Sequence, residues 1–417
     1  MKIIVLGAGV IGVTAAWFLR QKGFEVVVIE RQAGAGLETS FANGGQISVS
    51  HAEPWANPGA PKKVLQWLMK EDAPLLFRLR ADLLQWRWGM QFLRECTPER
   101  TRHNIIQIVN LGTYSRASLQ QLRRDTGLHY DELSKGILHF YTSEQEFAAA
   151  LEPAKIMREF GCDRHVISAQ EAIALEPALA SIQHQIAGAT YTAADESGDA
   201  HQFTQNLAKL CAAQGVQFLY NTTILGLMAT SQQITGVNIR NEQGEQTLTA
   251  DNYVLALGSY SPQLVKPLGL DLLIYPAKGY SATFPILQAD KTPSVSLTDD
   301  EFKLVFSRLG DRLRVAGTAE LNGYSTELNE VRCKAITRRV MQLFPEAVDI
   351  NRVQYWTGLR PATPSNVPYI GRSKIANLFL DTGHGTLGWT HACGSGRTLA
   401  DIVAGQKPEV DFAFCGF

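Results

Sequence analysis

The first thirty residues constrain the fold more than any other stretch. Lys2-Ile3-Ile4-Val5-Leu6 is an apolar run with β character and leads into Gly7-Ala8-Gly9-Val10-Ile11-Gly12. Val13 to Lys22 is amphipathic, and Glu25 to Ile29 is a second apolar run closed by Glu30. The order reads as strand, glycine turn, helix, strand, the opening of a Rossmann-type dinucleotide-binding unit. Gly7 permits the tight turn, Gly9 lets the backbone approach a pyrophosphate, and Gly12 lets the helix pack closely on the sheet. The helix N-terminus that follows offers unpaired N–H groups and a positive dipole end to phosphates. Glu30, at the tip of the second strand, is placed to accept hydrogen bonds from a ribose diol.

A lysine followed by apolar residues also resembles a signal peptide. The glycines at Rossmann spacing break that run and Glu30 closes a folded unit, so the stretch is expected to be core and the chain cytoplasmic. The formal net charge of −1 gives no reason to propose nucleic acid as a partner. Six cysteines are scattered without a CxxC pair, which suits free thiols, and the histidines show no ligand spacing, so no metal is assigned. No apolar run is long enough to span a bilayer.

Residues 33–61 read as a long loop in which Glu38-Thr39-Ser40-Phe41-Ala42-Asn43-Gly44-Gly45-Gln46 is suited to wrap a ligand. Residues 62–103 carry nine Lys or Arg against five Asp or Glu, with Trp67, Trp86 and Trp88 at helical spacing. Two readings stay open for them: a pair of helices packing on the domain, or helices lying on a membrane surface. Helices are expected over 104–127, 144–160, 168–175 and 202–214, and strands over 133–142 and 216–220. After β-rich hairpins comes the buried run Tyr253 to Leu257, ending at Gly258. This order after a first βαβ unit is more typical of flavin-binding folds than of NAD dehydrogenases. Near the end, Leu378 to Asp381 is a strand, Gly383-His384-Gly385-Thr386-Leu387-Gly388 is a second GxGxxG, and Trp389 to Val403 is a helix. No ribose-binding acid follows, so one cofactor held at both ends is expected. The helix N-terminus would stabilise negative charge gathering on a reduced flavin ring.

These residues resemble the FAD-dependent bacterial D-amino-acid dehydrogenase family (small subunit), within the wider D-amino-acid oxidase, glycine oxidase and sarcosine oxidase group. The resemblance covers nearly the whole chain. Its most specific stretches are Tyr355-Trp356-Thr357-Gly358-Leu359-Arg360-Pro361 and Asp381 to Thr390, supported by Glu38 to Ser48, Phe203 to Ala208 and Tyr275 to Ser281. It implies an α/β plus α+β architecture, a Rossmann-type FAD-binding domain with an inserted mixed-sheet substrate domain. The FAD-binding part is expected at 1–50, 195–262 and 356–417, and the substrate-binding part at 51–194 and 263–355, with the membrane-facing or packing helices at 62–103.

The implied contacts to non-covalent FAD are Gly7, Gly9, Val10, Ile11, Gly12, Glu30, Arg31, Thr39, Ser40, Asn43, Gly44, Gly45 and Gln46. Thr223, Ile224, Ala256, Gly258, Gly358, Arg360 and the loop Gly383, His384, Gly385, Thr386, Leu387, Gly388 complete that set. Arg360 matches the arginine that binds the substrate carboxylate in the oxidase relatives, and a planar guanidinium suits a bidentate carboxylate; a structural ion pair is the alternative. Tyr275 and Tyr280 are candidates for lining the substrate pocket and Lys278 for a place near the flavin. Gln46 and His51 join Arg360 and Tyr275 as substrate-binding candidates. Gly385-Thr386 stands, as in the dehydrogenases, where glycine oxidases carry a further arginine, and the chain departs from the dehydrogenase pattern at His51 and Glu53, where that pattern has tyrosine and alanine.

The implied reaction is oxidative deamination of free D-amino acids, with electrons passed to a membrane quinone or other acceptor, and with peripheral contact to the cytoplasmic face of the inner membrane left open. The alternative within the fold is an L-amino-acid, proline or glycine dehydrogenase or oxidase. A flavin-dependent tRNA-modifying enzyme and a flavin-binding subunit of a larger complex are the rivals from other classes.

Overall fold

In the computed structural model, which describes residues 1–67, 71 and 73–416, the opening unit folds as strand Lys2–Leu6, helix Val10–Gln21 and strand Glu25–Ile29, the strands parallel. The helix begins at Val10 rather than Val13 because Gly9 holds an extended backbone and acts as its N-cap. Asn252–Leu255 pairs on the other side of Lys2–Leu6, followed outward by Leu378–Thr382 and Tyr369–Arg372, while Gln217–Leu219 pairs with Glu25–Ile29. One sheet is thus assembled from segments far apart in the chain.

Both faces of this sheet are covered. Helices Val10–Gln21, Ala200–Ala213 and Gly388–Val403 share one core, which buries Trp17, Phe203 and Trp389. The antiparallel strands Thr223–Ala229, Ile234–Asn241 and Gly244–Leu248 belong to the layer on the opposite face, where Ile4, Leu6, Tyr253 and Leu255 are buried.

The larger sheet is mixed. Its strands run in the order Gln354–Ala362, Tyr275–Pro285, Arg312–Leu321, Leu304–Leu309, Ser296–Asp299, Ile137–Tyr141, Gly188–Thr192 and His165–Ile167. Helix Glu330–Leu343, capped by Asn329, contributes Cys333, Ile336 and Val340 to the core on one face. The opposite face looks toward the first sheet.

The stretch expected to be two helices over 62–103 is more varied, and residues 68–70 and 72, Lys70 among them, lie outside the described residues. Helix Ala60–Trp67 is followed by a short strand, Leu75–Phe77, which adds to Arg312–Leu321, and then by helix Leu83–Glu95. The next helix, Pro98–Thr126, starts before residue 104 because Thr97 caps it by accepting from the Arg100 N–H and Pro98 sits in its first turn. Gly127, at φ +65°, ends it.

Candidate functional site

A single cavity of about 1430 Å³ runs between the two sheets. At one end lie the C-terminal ends of the parallel strands, at Gly7, Ile29, Glu30 and Ala256. This is where open α/β sheets hold their ligands. An added Cβ at Gly12 would stand 2.0 Å from the Gly7 carbonyl oxygen, so only glycine lets the helix seat there. Gly12 therefore works by packing and does not line the cavity. The Val10 N–H donates to Ser40 Oγ at 3.0 Å, tying the loop after the second strand to the helix N-terminus. Glu30 accepts from the Ala8 and Gln32 N–H groups at 2.8 and 2.9 Å. Burial nonetheless lifts its carboxyl above the ordinary range. Arg31 pairs with Glu38 through two hydrogen bonds and lies over the Tyr260 ring, 4.2 Å from its centroid. Thr223, Ile224 and Gly258 line the same end.

Further along, Thr39 donates to the Leu359 carbonyl and Asn43 Oδ1 accepts from the Gly45 N–H, both at 3.0 Å. Gly44 lies against Val305, where a Cβ would stand 2.5 Å from its Cγ2. The Gln46 amide donates to Ser296 Oγ and the Leu297 carbonyl, each at 3.0 Å, so it pins the loop to the large sheet. From the C-terminal part of the chain, His384, Gly385, Thr386, Leu387 and Gly388 border the cavity and lead into helix Gly388–Val403. Gly383, at φ +85°, makes the turn but stands off the lining. His384 Nε2 lies 2.8 Å from Ser395 Oγ and 3.4 Å from Asp381 Oδ1. Burial pushes the Asp381 carboxyl well up and, with the neighbouring His391, the His384 ring well down. A glycine cradle at a helix N-terminus, an acid at the strand tip and one continuous cavity reaching a second helix N-terminus fit an FAD held in extended form.

Arg360 stands on strand Gln354–Ala362 and reaches across the neighbouring strand. Its guanidinium lies flat over Gly279, where an added Cβ would be 2.4 Å from Cζ. Its Nη1 donates to the Thr318 carbonyl at 2.7 Å and its Nη2 to that of Gly317 at 3.4 Å. Thr318 holds φ at +48°, unusual for a β-branched residue, and this turns its carbonyl toward the arginine. Among the described residues no carboxylate forms an ion pair with Arg360. Burial, then the neighbouring Arg332, brings its pKa down to about 10. A half-buried guanidinium that faces the cavity, with only neutral carbonyls as its hydrogen-bond partners among the described residues, has the chemistry to pair with an anion.

Other expected site residues fall elsewhere. Strand alternation sends Lys278 to the face opposite Gly279, where its Nζ lies 3.2 Å from Glu320 Oε2 and 3.0 Å from the Glu327 carbonyl. Lys278 is therefore away from the flavin end. Tyr280 borders the cavity, but its ring belongs to the core beside helix Glu330–Leu343, with Lys278 and Arg332 over it, and its hydroxyl donates to Glu320 Oε2 at 2.5 Å. Tyr275 is buried in a small core under Trp88 and Phe92 of helix Leu83–Glu95 and does not line the cavity. Gly358 and His51 do line it. Sequence reasoning missed Gly279 and Thr318, which seat the guanidinium, and the polar group around His139 and Asp300.

The chain matches the model of the family described as FAD dependent oxidoreductase over residues 2–402. A protein named D-amino acid dehydrogenase in Dechloromonas aromatica is 56% identical over 415 residues, covering 99% of each chain. One of the same name in Paramagnetospirillum magneticum is 51% identical over 411 residues, covering 98% of this chain and 96% of the relative. Among solved structures, L-proline dehydrogenase from P. horikoshii superposes with a TM-score of 0.73 at 16% identity, covering 98% of this chain and 94% of that one. Glycine oxidase from Geobacillus kaustophilus does so with 0.73 at 21%, covering 98% and 96%. At those identities the structural likeness speaks to the fold, whereas the full-length matches reach further. The chain belongs to the family of FAD dependent oxidoreductases.

Proposed function

We propose that the protein oxidises free D-amino acids to 2-oxo acids and ammonia. The observation that carries this is Arg360, a half-buried guanidinium with no acid partner among the described residues, facing the cavity that the glycine cradle opens. When bound, FAD supplies the acceptor for the hydride that leaves Cα. Arg360 fixes the substrate carboxylate in a forked pair, and that pair is strong because the site is enclosed. Thr318 and Gly317 hold the guanidinium so that little freedom remains to be lost on binding. His51 is driven down to about 3 by burial and by His139, so it meets the substrate as a neutral hydrogen-bonding ring. The imino acid released hydrolyses in water. The names of the full-length relatives support the D series and a dehydrogenase over an oxidase.

Electrons then pass to an acceptor, which we place in a membrane. Helix Leu83–Glu95 supports this reading: Leu83, Trp86, Met90 and Leu93 point outward, each more than half exposed, while Trp88 and Phe92 face the core. Exposed Leu79 and the side chains of Arg80, Arg87 and Arg94 flank that stripe. An apolar stripe edged by arginine suits a surface of anionic lipid. No described helix is long and apolar enough to cross the bilayer.

Two experiments test these readings. Anaerobic mixing of the yellow protein with D-alanine bleaches the oxidised flavin band and L-alanine leaves it; bleaching by the L form alone, or by neither, overturns the assignment. Flotation with vesicles containing a quinone and anionic lipid carries the protein upward. The reading fails if replacing Trp86, Met90 and Leu93 together by serine leaves the floated fraction unchanged.

A further inference from the structure

A second polar group borders the same cavity away from Arg360. Ser50 Oγ lies 3.2 Å from His139 Nε2, and His139 Nδ1 lies 2.8 Å from Asp300 Oδ2. The His51 ring stacks on that of His139 with centroids 5.9 Å apart. Three cations surround the group, and each is engaged. Lys303 Nζ lies 3.4 Å from Asp300, and Lys63 Nζ lies 2.7 Å from Glu146. Arg164 is buried and donates to the Ser50 carbonyl, the Tyr141 hydroxyl and Thr190 Oγ1 at 2.7, 2.7 and 2.9 Å.

Glu53 is the exception. It lines the cavity with its side chain open to it, and its one hydrogen bond comes from the Asn57 amide at 3.2 Å. Among the described residues no lysine, arginine or histidine forms an ion pair with it. Its side chain is exposed to the cavity; desolvation by the protein around it raises its carboxyl from the ordinary value, against the opposing pull of Lys303 and Arg164.

The sheet under the cavity gives a scale for what it can hold. The Arg360 guanidinium sits at strand Arg312–Leu321. From Ala316 on that strand, a row of paired residues runs through Val305 and Thr298 to His139. Three strand spacings make about 14 Å. An extended basic side chain puts its terminal nitrogen about 9 Å from its own α-carboxylate oxygens at bond lengths of ~1.5 Å. With a hydrogen bond of about 2.8 Å at each end, such a side chain is of the same order as the width of sheet between Ala316 and His139.

We infer that the Ser50, His51, Glu53, His139 end of the cavity is the subsite for the substrate side chain, and that Glu53 selects amino acids whose long side chain ends in a cation. The inference rests on the amino-acid oxidation proposed above. His51 and His139 stay neutral: burial lowers both, His139 adding to the effect on His51 and Arg164 to that on His139. They offer hydrogen bonds without repelling an ammonium. Asp300 is raised by burial but pulled far below its ordinary range by His139 and Lys303, so its charge is spent on its own partners.

The test compares kcat/KM for D-lysine and for D-norleucine, its apolar near-isostere, with a dye as acceptor. The wild-type ratio is expected to be at least tenfold in favour of D-lysine, a result that needs no variant. Glu53→Gln should reduce the ratio at least tenfold, and Glu53→Lys should swing preference toward D-glutamate. A wild-type ratio near one, or a ratio that Glu53→Gln leaves in place, overturns the subsite. Parallel runs with D-alanine and L-lysine separate the two claims. Turnover of D-alanine with a flat ratio sinks the subsite alone. Turnover of L-lysine without any D form sinks the D assignment, and a Glu53-dependent L-lysine to L-norleucine ratio would then uphold the subsite.

Discussion

Gly279→Ala should displace Arg360 without unfolding the protein. The backbone of Gly279 is outside the left-handed region, so alanine fits its conformation. The added Cβ would stand 2.4 Å from Arg360 Cζ and 2.5 Å from Nη2. These atoms are the far end of a flexible side chain, so the arginine moves rather than the strand. Restoring a contact distance of ~3.5 Å shifts the guanidinium by about 1 Å. Such a shift takes one arm of the fork out of hydrogen-bonding range. One hydrogen bond to a charged group contributes about 1.5–3 kcal/mol, so kcat/KM for D-alanine should fall roughly 10- to 150-fold. Arg360→Ala, which leaves the carboxylate unpaired in a buried site, should cost about 3–5 kcal/mol. The assay is anaerobic flavin reduction by stopped flow, with flavin content and melting temperature as controls. A folded, flavin-loaded Gly279→Ala protein retaining kcat/KM within threefold would refute the placement of the carboxylate on Arg360.

The glycine at position 12 should behave oppositely. Its Cβ meets the Gly7 carbonyl, a backbone atom that cannot swing away, so Gly12→Ala should lose flavin on gel filtration, and normal flavin content would contradict the packing argument. Arg360 deprotonates near 10 in the free site, and only its charged form holds a carboxylate. The inhibition constant of propionate should therefore be flat from about pH 7 to 9 and rise about tenfold per unit above the arginine pKa; a flat profile to pH 11 would place the carboxylate elsewhere. Burial raises the Asp381 carboxyl, so the folded chain keeps a proton that the unfolded chain releases. The associated stability is full below an unfolded pKa of about 3.9 and is lost, by up to ~1.4 kcal/mol per unit, as pH rises toward the folded pKa. Asp381→Asn should flatten the decline in melting temperature as pH rises above the unfolded carboxylate value, and an unchanged slope would show that other groups control it.

What was legible in the sequence follows from how local each signal is. Gly7, Gly9, Gly12 and Glu30 act within one supersecondary unit, so their spacing carries their geometry. The second glycine run at 383–388 was legible for the same reason. Arg360 was found through its motif, but the residues that seat it were not. Gly279 and Thr318 lie 81 and 42 residues away in sequence and meet it only through strand pairing. Lys278 and Tyr275 were misplaced because a run of one strand shows alternation but not which face is covered. Glu320 decides the matter for Lys278, and Trp88 for Tyr275. The strand Leu75–Phe77 is three residues long and pairs with Ala319 to Leu321, the end of strand Arg312–Leu321 that extends past its neighbour Leu304–Leu309. No period in the chain announces it.

Handedness at Cα follows from the same arrangement. In the proposed pose Arg360 would hold the carboxylate, the side chain would lie toward Glu53, and the Cα–H would have to face the bound flavin. Those three directions assign three substituents, and the amine takes the fourth. In the mirror-image substrate, holding the carboxylate and side chain in place puts the amine where the hydrogen must be. The enantiomer is thus rejected without a contact devoted to rejecting it. Alanine has no group that reaches Glu53, so it keeps the carboxylate anchor but lacks the remote one. The D to L ratio of kcat/KM should accordingly be larger for lysine than for alanine, and Glu53→Gln should bring the lysine ratio down toward the alanine value. Equal ratios in the wild type would mean that the groups immediately around Cα set handedness, and that the remote anchor governs affinity for the side chain alone.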